Sequence, residues 1–178
     1  ELIALKPLNL LTIKPVIYVF NVSENQLQNI DATKKQIEVI LKGLDGNYIY
    51  LCAKLESDIV ALDASDQTEY LKQYGLNETG LNRLIKKAYE ALGLISFLTA
   101  GVIEARAWTI KKGWLAPQAA GTIHTDFEKK FIKADIAKYE DFVKCGGWVK
   151  ARELGLVQIT GKDYVMRDGE VVEFKIGS

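Results

Sequence analysis

Short apolar runs and helical spacings of apolar residues alternate along the first half of the chain. A continuous apolar run within 14–20 predicts a strand buried on both faces of a parallel sheet, and residues 48–53 predict a second such strand. Between them we expect a helix over 32–42, which Asp31 caps and Gly43 ends. Its buried face is expected to comprise Ile37, Ile40 and Leu41. This segment reads as one βαβ unit with a right-handed crossover.

Helical spacing continues to the middle of the chain. Residues 56–74 predict short helices, and residues 1–12 resemble the tail of a longer helix that Pro7 stops. A further helix begins at Gly80 and ends at Gly93. Its apolar positions are Leu81, Leu84, Ile85, Ala88 and Leu92. The pattern changes at Gly93, and we place a domain boundary there.

Strand patterns dominate the second half. The predicted strands cover 94–99, 104–110, 130–137, 157–160, 164–166 and 170–176. Short helices are expected over 139–144 and 149–154, and residues 116–123 form a short helix or a loop. Asp168-Gly169 is a favourable hairpin turn. This mixture indicates a compact α+β module.

Composition excludes several classes of protein. The 178 residues include 23 basic and 23 acidic residues, so no overall field recruits nucleic acid, although the C-terminal half has a slight basic excess. Cys52 and Cys145 lie in different predicted domains, which argues against a disulfide, and no Cys/His cluster has zinc spacing. Neither a signal peptide nor an apolar run long enough to span a membrane is found. A reducing, cytoplasmic location is expected.

The first predicted strand ends in Asn21-Val22-Ser23-Glu24, which is a candidate purine-binding motif. Ligands of open α/β sheets bind at the carboxyl ends of the strands, and an amide and a carboxylate can read a purine edge. Guanine-specific sites favour Asn-Lys-x-Asp, so Glu24 and Val22 weaken guanine selectivity and admit adenine. The loop Cys52-Ala53-Lys54 would form the opposite wall. Alone the motif is weak, since an asparagine in such a motif more commonly serves a turn or a helix cap.

These residues resemble the YchF subfamily of Obg-like ATPases. The resemblance rests on residues 10–24, 51–56, 97–110 and 116–128, the last two being similar to the family's TGS domain. It implies an α/β plus α+β fold: a partial P-loop NTPase, Rossmann-like βαβ segment with the end of a helical insertion (1–93), then a β-grasp TGS domain (94–178). Asn21, Val22 and Glu24 would contact or frame the base, opposite Cys52, Ala53 and Lys54. Small departures from the family are Lys130, Lys133 and Asp135.

The resemblance also implies an ATP- and GTP-accepting hydrolase associated with ribosomes. Its phosphate loop, Gly-x-x-x-x-Gly-Lys-[Ser/Thr], is absent from this sequence, because the only Gly-Lys is Gly161-Lys162 and Asp163 follows it. Phosphoryl transfer depends on phosphate positioning and metal, so we expect no catalytic residue, no metal site and no hydrolysis by this chain alone. ATP or GTP with Mg²⁺ would be bound by the intact protein.

A non-enzymatic module that binds RNA, the ribosome or a regulatory nucleotide through the TGS domain is the alternative. A basic face for RNA would comprise Arg106, Lys111, Lys112, Lys129, Lys130 and Lys133, although a solvated face is the simpler interpretation. Asp135 would dilute this face, and His124 is more readily structural than catalytic. Two strands without sheet neighbours leave apolar faces uncovered, so residues 1–91 should be less stable than 92–178 or be covered by a second chain. No membrane partner and no particular oligomeric state are predicted.

Overall fold

The computed structural model describes residues 5–40, 42, 47–101 and 104–177. Its contacts divide the chain into two compact units, Glu1–Leu92 and Gly93–Ser178, called here the N-terminal and C-terminal units. Both mix helices and strands, so the fold is mixed α/β.

The N-terminal unit contains a parallel strand pair with helices around it. Its elements are β1 (Tyr18–Asn21), α1 (Glu24–Gln28), α2 (Ile30–Ile40), β2 (Tyr48–Leu51), α3 (Ala53–Val60), α4 (Ala64–Gln73) and α5 (Gly80–Leu92), after two short 3₁₀ turns at Lys6–Leu8 and Leu11–Ile13. The strands pair in parallel from Tyr18 opposite Tyr48 to Asn21 opposite Leu51. The expected helix over 32–42 begins earlier, so Asp31 lies in its first turn rather than at its cap. Gly43 and Leu41 lie outside the described residues, as do residues 1–4 of the expected N-terminal helix.

The core of this unit is formed by residues of β2, of the two loops that follow the strands and of helices α1 to α4. It comprises Val22, Leu27, Ile37, Tyr50, Cys52, Leu55, Ile59 and Leu71. The prediction that the first strand is buried on both faces is wrong, because Val16, Tyr18 and Val19 are all exposed. In the described residues β1 pairs with one strand only, β2, so its other edge has no strand neighbour. The apolar stripe of α5 is likewise exposed at Leu81, Ile85 and Leu92.

The C-terminal unit is built on a five-stranded sheet of order β4-β3-β7-β5-β6. Its elements are β3 (Leu94–Ala100), β4 (Ala105–Lys111), α6 (Ala116–Ile123), α7 (Thr125–Lys129), β5 (Phe131–Lys138), α8 (Tyr139–Cys145), α9 (Trp148–Glu153), β6 (Gln158–Thr160) and β7 (Glu170–Ile176). The pairing of β3 with β7 is parallel and the other pairings are antiparallel. The strand expected at 164–166 is only an isolated bridge from Val165 to Leu115, because no second residue pair extends it.

One face of this sheet supports the core of the unit. Strand residues Ile95, Phe97, Ile110, Ile136 and Val172 pack with the small residues of α6, which are Ala116, Ala119 and Ala120. Phe97 is completely buried and meets Phe174 edge to face, with ring centroids 5.7 Å apart. Alternate strand residues thus fill one continuous core, as the side-chain period of a strand requires.

Candidate purine-base site

The carboxyl ends of β1 and β2 lie side by side because Asn21 is in register with Leu51. The loops that follow the two strands therefore face each other. They enclose an open depression of about 490 Å³. Its lining residues are Asn21, Val22, Ser23, Glu24, Asn25, Cys52 and Lys54. This is the edge of an α/β sheet at which ligands bind.

The Asn21 side chain joins the two loops. Its Oδ1 accepts a hydrogen bond of 3.0 Å from the backbone N–H of Ala53, and the Val22 N–H donates to the Leu51 carbonyl at 2.8 Å. With Oδ1 engaged, the Asn21 amide still has its two Nδ2 donors for another partner. A purine offers ring nitrogens that accept from such donors.

Ser23, rather than Asn21, caps the helix that begins at Glu24. The Gln26 N–H donates to Ser23 Oγ at 3.3 Å, and the Ser23 N–H donates to Gln26 Oε1 at 2.9 Å, which completes a capping box. The cap ends the strand sharply and fixes Glu24 in the first helical turn. Sequence reasoning left a capping role for Asn21 open, and the Ser-x-x-Gln spacing is the signal that would have identified Ser23.

An ion pair crosses the depression. Lys54 Nζ lies 2.8 Å from Glu24 Oε1, with the lysine side chain 74% exposed and the glutamate 32% exposed. The hydrogen bond and the negative charge of Glu24 raise the pKa of Lys54. The predicted carboxylate and the predicted opposite wall are therefore in direct contact.

Val22 and Cys52 contribute backbone to the depression and side chains to the core. Their residues are 6% and 3% exposed, respectively. Behind them lie Tyr70 and Tyr74, whose ring centroids are 5.5 Å apart. The hydrogen bond that the Tyr74 hydroxyl donates to Tyr70, with burial and the charge of Glu24, raises the pKa of Tyr74 to about 12. No pattern in the sequence pointed to this tyrosine pair.

A second set of contacts fixes β2 and α3 beneath the site. Glu56 Oε1 accepts from the Gly80 N–H at 2.6 Å and Oε2 accepts from the Leu81 N–H at 3.3 Å, so the carboxylate caps α5. A Cβ on Gly80 would lie only 2.7 Å from Leu51 Cβ, which explains the glycine. Arg83 Nη2 donates to the Tyr50 carbonyl at 2.9 Å. Sequence reasoning missed Glu56 and Arg83 as supports.

The C-terminal unit separates its predicted basic residues into two groups. Lys133 is in register with Lys175, and Lys129 and Lys130 precede the same end of β5. Lys111 pairs with Leu94, and Lys112 follows it at the opposite end of the sheet. Arg106 stacks over Trp108, with its guanidinium carbon 4.2 Å from the ring centroid. The six residues therefore do not form one continuous face.

Several other candidate residues have structural partners. Asp135 is buried and accepts from Arg152 Nη2 at 3.0 Å, so it does not dilute a surface patch as expected. His124 Nδ1 accepts from the Asp126 N–H at 3.3 Å and caps α7, which is a structural role. Trp108 Nε1 donates to Thr99 Oγ1 at 2.9 Å. Trp148 Nε1 donates to the Ala100 carbonyl at 2.8 Å.

Two features are absent from the part of the chain that the structure describes. It contains no group of three or more His, Cys, Asp or Glu side chains arranged to hold a metal ion. Within the same residues, no helix combines the length and the apolarity needed to cross a bilayer.

Comparisons with known proteins extend over nearly the whole chain. The family described as "YchF-GTPase_C: Protein of unknown function (DUF933)" matches residues 94–177. The "Ribosome-binding ATPase YchF" of Bacillus subtilis is 44% identical over 96% of this chain and 47% of its own length. The protein of that name from Haemophilus influenzae is 43% identical over 98% of this chain and 48% of its own length. The chain spans about half the length of the curated relatives it matches.

Two solved structures also match nearly the whole chain. The Schizosaccharomyces pombe YchF GTPase superposes with a TM-score of 0.77 at 35% identity, over 96% of this chain and 46% of that one. A GTP-binding protein from Pyrococcus horikoshii OT3 superposes with a TM-score of 0.54 at 17% identity, over 92% of this chain and 46% of that one. The second likeness concerns the fold alone.

Proposed function

The chain belongs to the YchF family, and on that premise we propose that its N-terminal unit supplies the base-binding edge of a nucleotide site. The observation that carries the proposal is the bond from Ala53 to Asn21, which joins the two loops around the depression. Asn21 Nδ2 would donate to a purine ring nitrogen, and Glu24 would accept from amino or imino donors of the base. Val22 and Cys52 would frame the base through the backbone, with Lys54 opposite Glu24.

We infer that hydrolysis belongs to a longer protein of which this chain is the base-binding part. Relatives named as ribosome-binding ATPases support nucleotide hydrolysis and ribosome association for that protein. Mg²⁺ and the phosphates would be held by a phosphate loop outside this sequence, which is why the chain alone is proposed to be inactive. Residues 1–93 would be part of the nucleotide-binding domain, and a ribosome-bound protein of this kind would work in the cytoplasm.

Nucleotide titration followed by amide NMR shifts tests the base site. AMP should shift resonances of the two loops that line the depression, at millimolar concentration because phosphate contacts are missing. Asn21→Ala should abolish those shifts, since it removes both the Nδ2 donors and the bond to Ala53. Asn77→Ala is the matched control, because Asn77 is an exposed asparagine of the same unit outside the depression. Unchanged AMP shifts in the Asn21 variant would refute the proposal.

A second role is proposed for residues 94–178, which we interpret as a β-grasp TGS domain that docks on the ribosome or its RNA. The five-stranded mixed sheet and the exposed basic residues at both of its ends support this role. Phosphate contacts make such binding steeply dependent on salt. Two charge-reversal variants would identify which end of the sheet binds. One changes Lys129, Lys130 and Lys133 together to Glu, and the other changes Lys111 and Lys112 to Glu. Ribosome binding that neither variant weakens would exclude a basic docking face.

A further inference from the structure

Strand β4 lies at one edge of the five-stranded sheet of the C-terminal unit, and among the described residues its strand neighbour is β3 alone. The Gly101 N–H donates to the Glu104 carbonyl at 2.8 Å, so these two residues form a bonded pair of the ladder. Bonded and non-bonded pairs alternate between antiparallel strands. The backbone N–H and C=O groups of Ala105 and Ala107 therefore point away from β3. Outward groups of an edge strand can pair with another extended chain.

An apolar groove of about 260 Å³ lies beside this edge. Leu98 is in register with Ala107 on one side and with Val171 on the other, so the three side chains share one face of the sheet. Helix α8 covers part of that face and lines the groove with Phe142 and Val143. Because an alanine side chain ends at Cβ, the groove stays open next to the edge of β4.

The charges along β4 indicate what kind of chain would pair with it. Side chains of an added strand point alternately to the two faces of the sheet, so every second one would enter the groove. The others would lie on the face of Arg106 and Trp108, where the guanidinium carbon is 4.2 Å from the ring centroid. Lys111 and Lys112 add positive charge at the end of β4, against Glu104 at its start. Acidic residues that alternate with apolar ones match both features.

We propose that β4 and the adjoining groove bind an extended, acidic peptide segment of a partner protein by strand addition. A second copy of this chain is disfavoured as the occupant, because pairing two β4 edges would bring Arg106 and Lys111 of both copies together. RNA is disfavoured because the groove is apolar and the outward backbone groups match those of a peptide. The inference concerns the C-terminal unit and is independent of the base site.

A synthetic hexapeptide in which Glu and Val alternate, blocked at both ends, tests the proposal by NMR of the 178-residue chain. The amide protons of Ala105 and Ala107 should shift and become protected from hydrogen exchange. The Arg106 amide, which faces Thr99 in a bonded pair, should be protected with or without the peptide. Replacing Val by its isostere Thr should weaken binding about tenfold, since a hydroxyl would be buried in the groove. Replacing Glu by Lys should abolish binding, because like charges repel.

Two variants of Ala107 separate the backbone edge from the groove. Ala107→Pro removes an outward N–H, which an edge strand tolerates, and should weaken peptide binding about tenfold. Ala107→Leu keeps that N–H but fills the groove, so it should also weaken binding. Val149→Leu, at an exposed valine of α9 outside the groove, is the matched control and should change nothing. The tryptophan-fluorescence midpoint in urea reports whether each variant is folded, and the Leu variant alone suffices if the Pro variant is not.

Each of the other outcomes would overturn the proposal. Absence of shifts at Ala105 and Ala107 with the Glu-Val peptide would exclude strand addition at this edge. The same conclusion would follow if binding were unchanged in the folded Ala107 variants. A wild-type chain that sediments as a dimer, and that Ala107→Pro converts to a monomer, would assign the edge to a second copy. A single-stranded oligouridine that shifts the same amides and displaces the peptide would assign it to RNA.

Discussion

The two units of this chain differ in how completely they cover their own sheets. In the N-terminal unit a parallel strand pair leaves Val16, Tyr18 and Val19 exposed, and α5 exposes Leu81 and Ile85. In the C-terminal unit five strands share one core with α6, and Phe97 is completely buried. Parallel strands are normally covered on both faces, so only the C-terminal unit has the burial expected of an independent domain.

The comparison predicts unequal stability and a division of labour. The N-terminal unit holds its candidate site through a few polar contacts between loops, whereas the C-terminal unit is held by packed side chains. All three tryptophans, Trp108, Trp114 and Trp148, lie in the C-terminal unit. Tryptophan fluorescence therefore follows that unit alone, and far-UV circular dichroism follows both. We expect the circular dichroism to change first on addition of denaturant.

The largest effect is expected from Phe97→Ala in the C-terminal core. Truncating a fully buried phenylalanine costs about 3–5 kcal/mol of unfolding free energy, because it removes apolar contacts and leaves a cavity. The fluorescence midpoint in urea should fall toward that of the N-terminal unit and erase the difference between them. Val149→Ala is the control, because Val149 is 71% exposed. A midpoint that does not move would contradict a core centred on Phe97.

Leu55→Ala should instead widen the difference in stability between the two units. Leu55 is 1% exposed and lies on α3, in the core that also contains Val22 and Cys52 of the two loops lining the depression. Its truncation should cost about 2–4 kcal/mol. That loss should lower the urea concentration at which the circular dichroism first changes, and it should reduce the AMP-induced shifts. The urea midpoint of the fluorescence transition should stay unchanged. Val60→Ala, at an 80% exposed position of the same helix, should be neutral. A fall in the fluorescence midpoint would show that the units unfold together.

Alkaline pH should act on the C-terminal unit through Tyr164. Burial and a short hydrogen bond to Glu170 Oε1 raise the pKa of Tyr164 to about 12. The unfolded state loses this proton near pH 10 and the folded state only near 12, so stability is full below pH 10 and falls between the two. The loss should be about 1–2 kcal/mol, because the ring is only part-buried.

Fluorescence-monitored urea unfolding at a series of pH values measures that loss. Tyr164→Phe should be less stable at neutral pH but should lose less on going from pH 10 to pH 12. Tyr139→Phe, which changes a tyrosine that is 53% exposed, should keep the wild-type dependence. If stability falls equally between pH 10 and pH 12 in all three proteins, Tyr164 is not the source of that loss.

The parts of this fold that sequence could predict depend on local spacing. Apolar runs locate β1 and β2, and parallel pairing of such runs brings Asn21 and the 52–54 loop together, as expected. The burial of β1 could not be predicted, since it depends on the elements that surround the strand. Among the described residues, β1 has one strand neighbour, which is β2.

Contacts between distant residues were also beyond prediction. The cap that Glu56 forms at Gly80 and the ion pair of the buried Asp135 with Arg152 join positions far apart in the chain. The separation of the basic residues follows from strand register, because Lys133 lies opposite Lys175 whereas Lys111 lies opposite Leu94. A list of lysines in sequence order carries no information about which end of a sheet they occupy.

The smallest effect is expected at the cap of α1, where a local signal and the candidate site coincide. Ser23→Ala removes the acceptor for the Gln26 N–H and should cost about 1 kcal/mol of N-terminal-unit stability. Most molecules should remain folded, so the loss of stability alone should change AMP affinity little. Because the cap also sets the direction of Glu24, we expect a larger fall in AMP affinity than that.

Asp63→Ala is the matched comparison, because Asp63 occupies the N-cap of α4 without a side-chain capping bond. It should change AMP affinity little, as α4 lies outside the lining of the depression. If Ser23→Ala and Asp63→Ala lower AMP affinity equally, the capping box stabilises the unit without aiming Glu24. If only Ser23→Ala does, a single hydroxyl links helix initiation to base recognition in the less stable unit. The purine site would then depend on local capping because its sheet supplies so little packing.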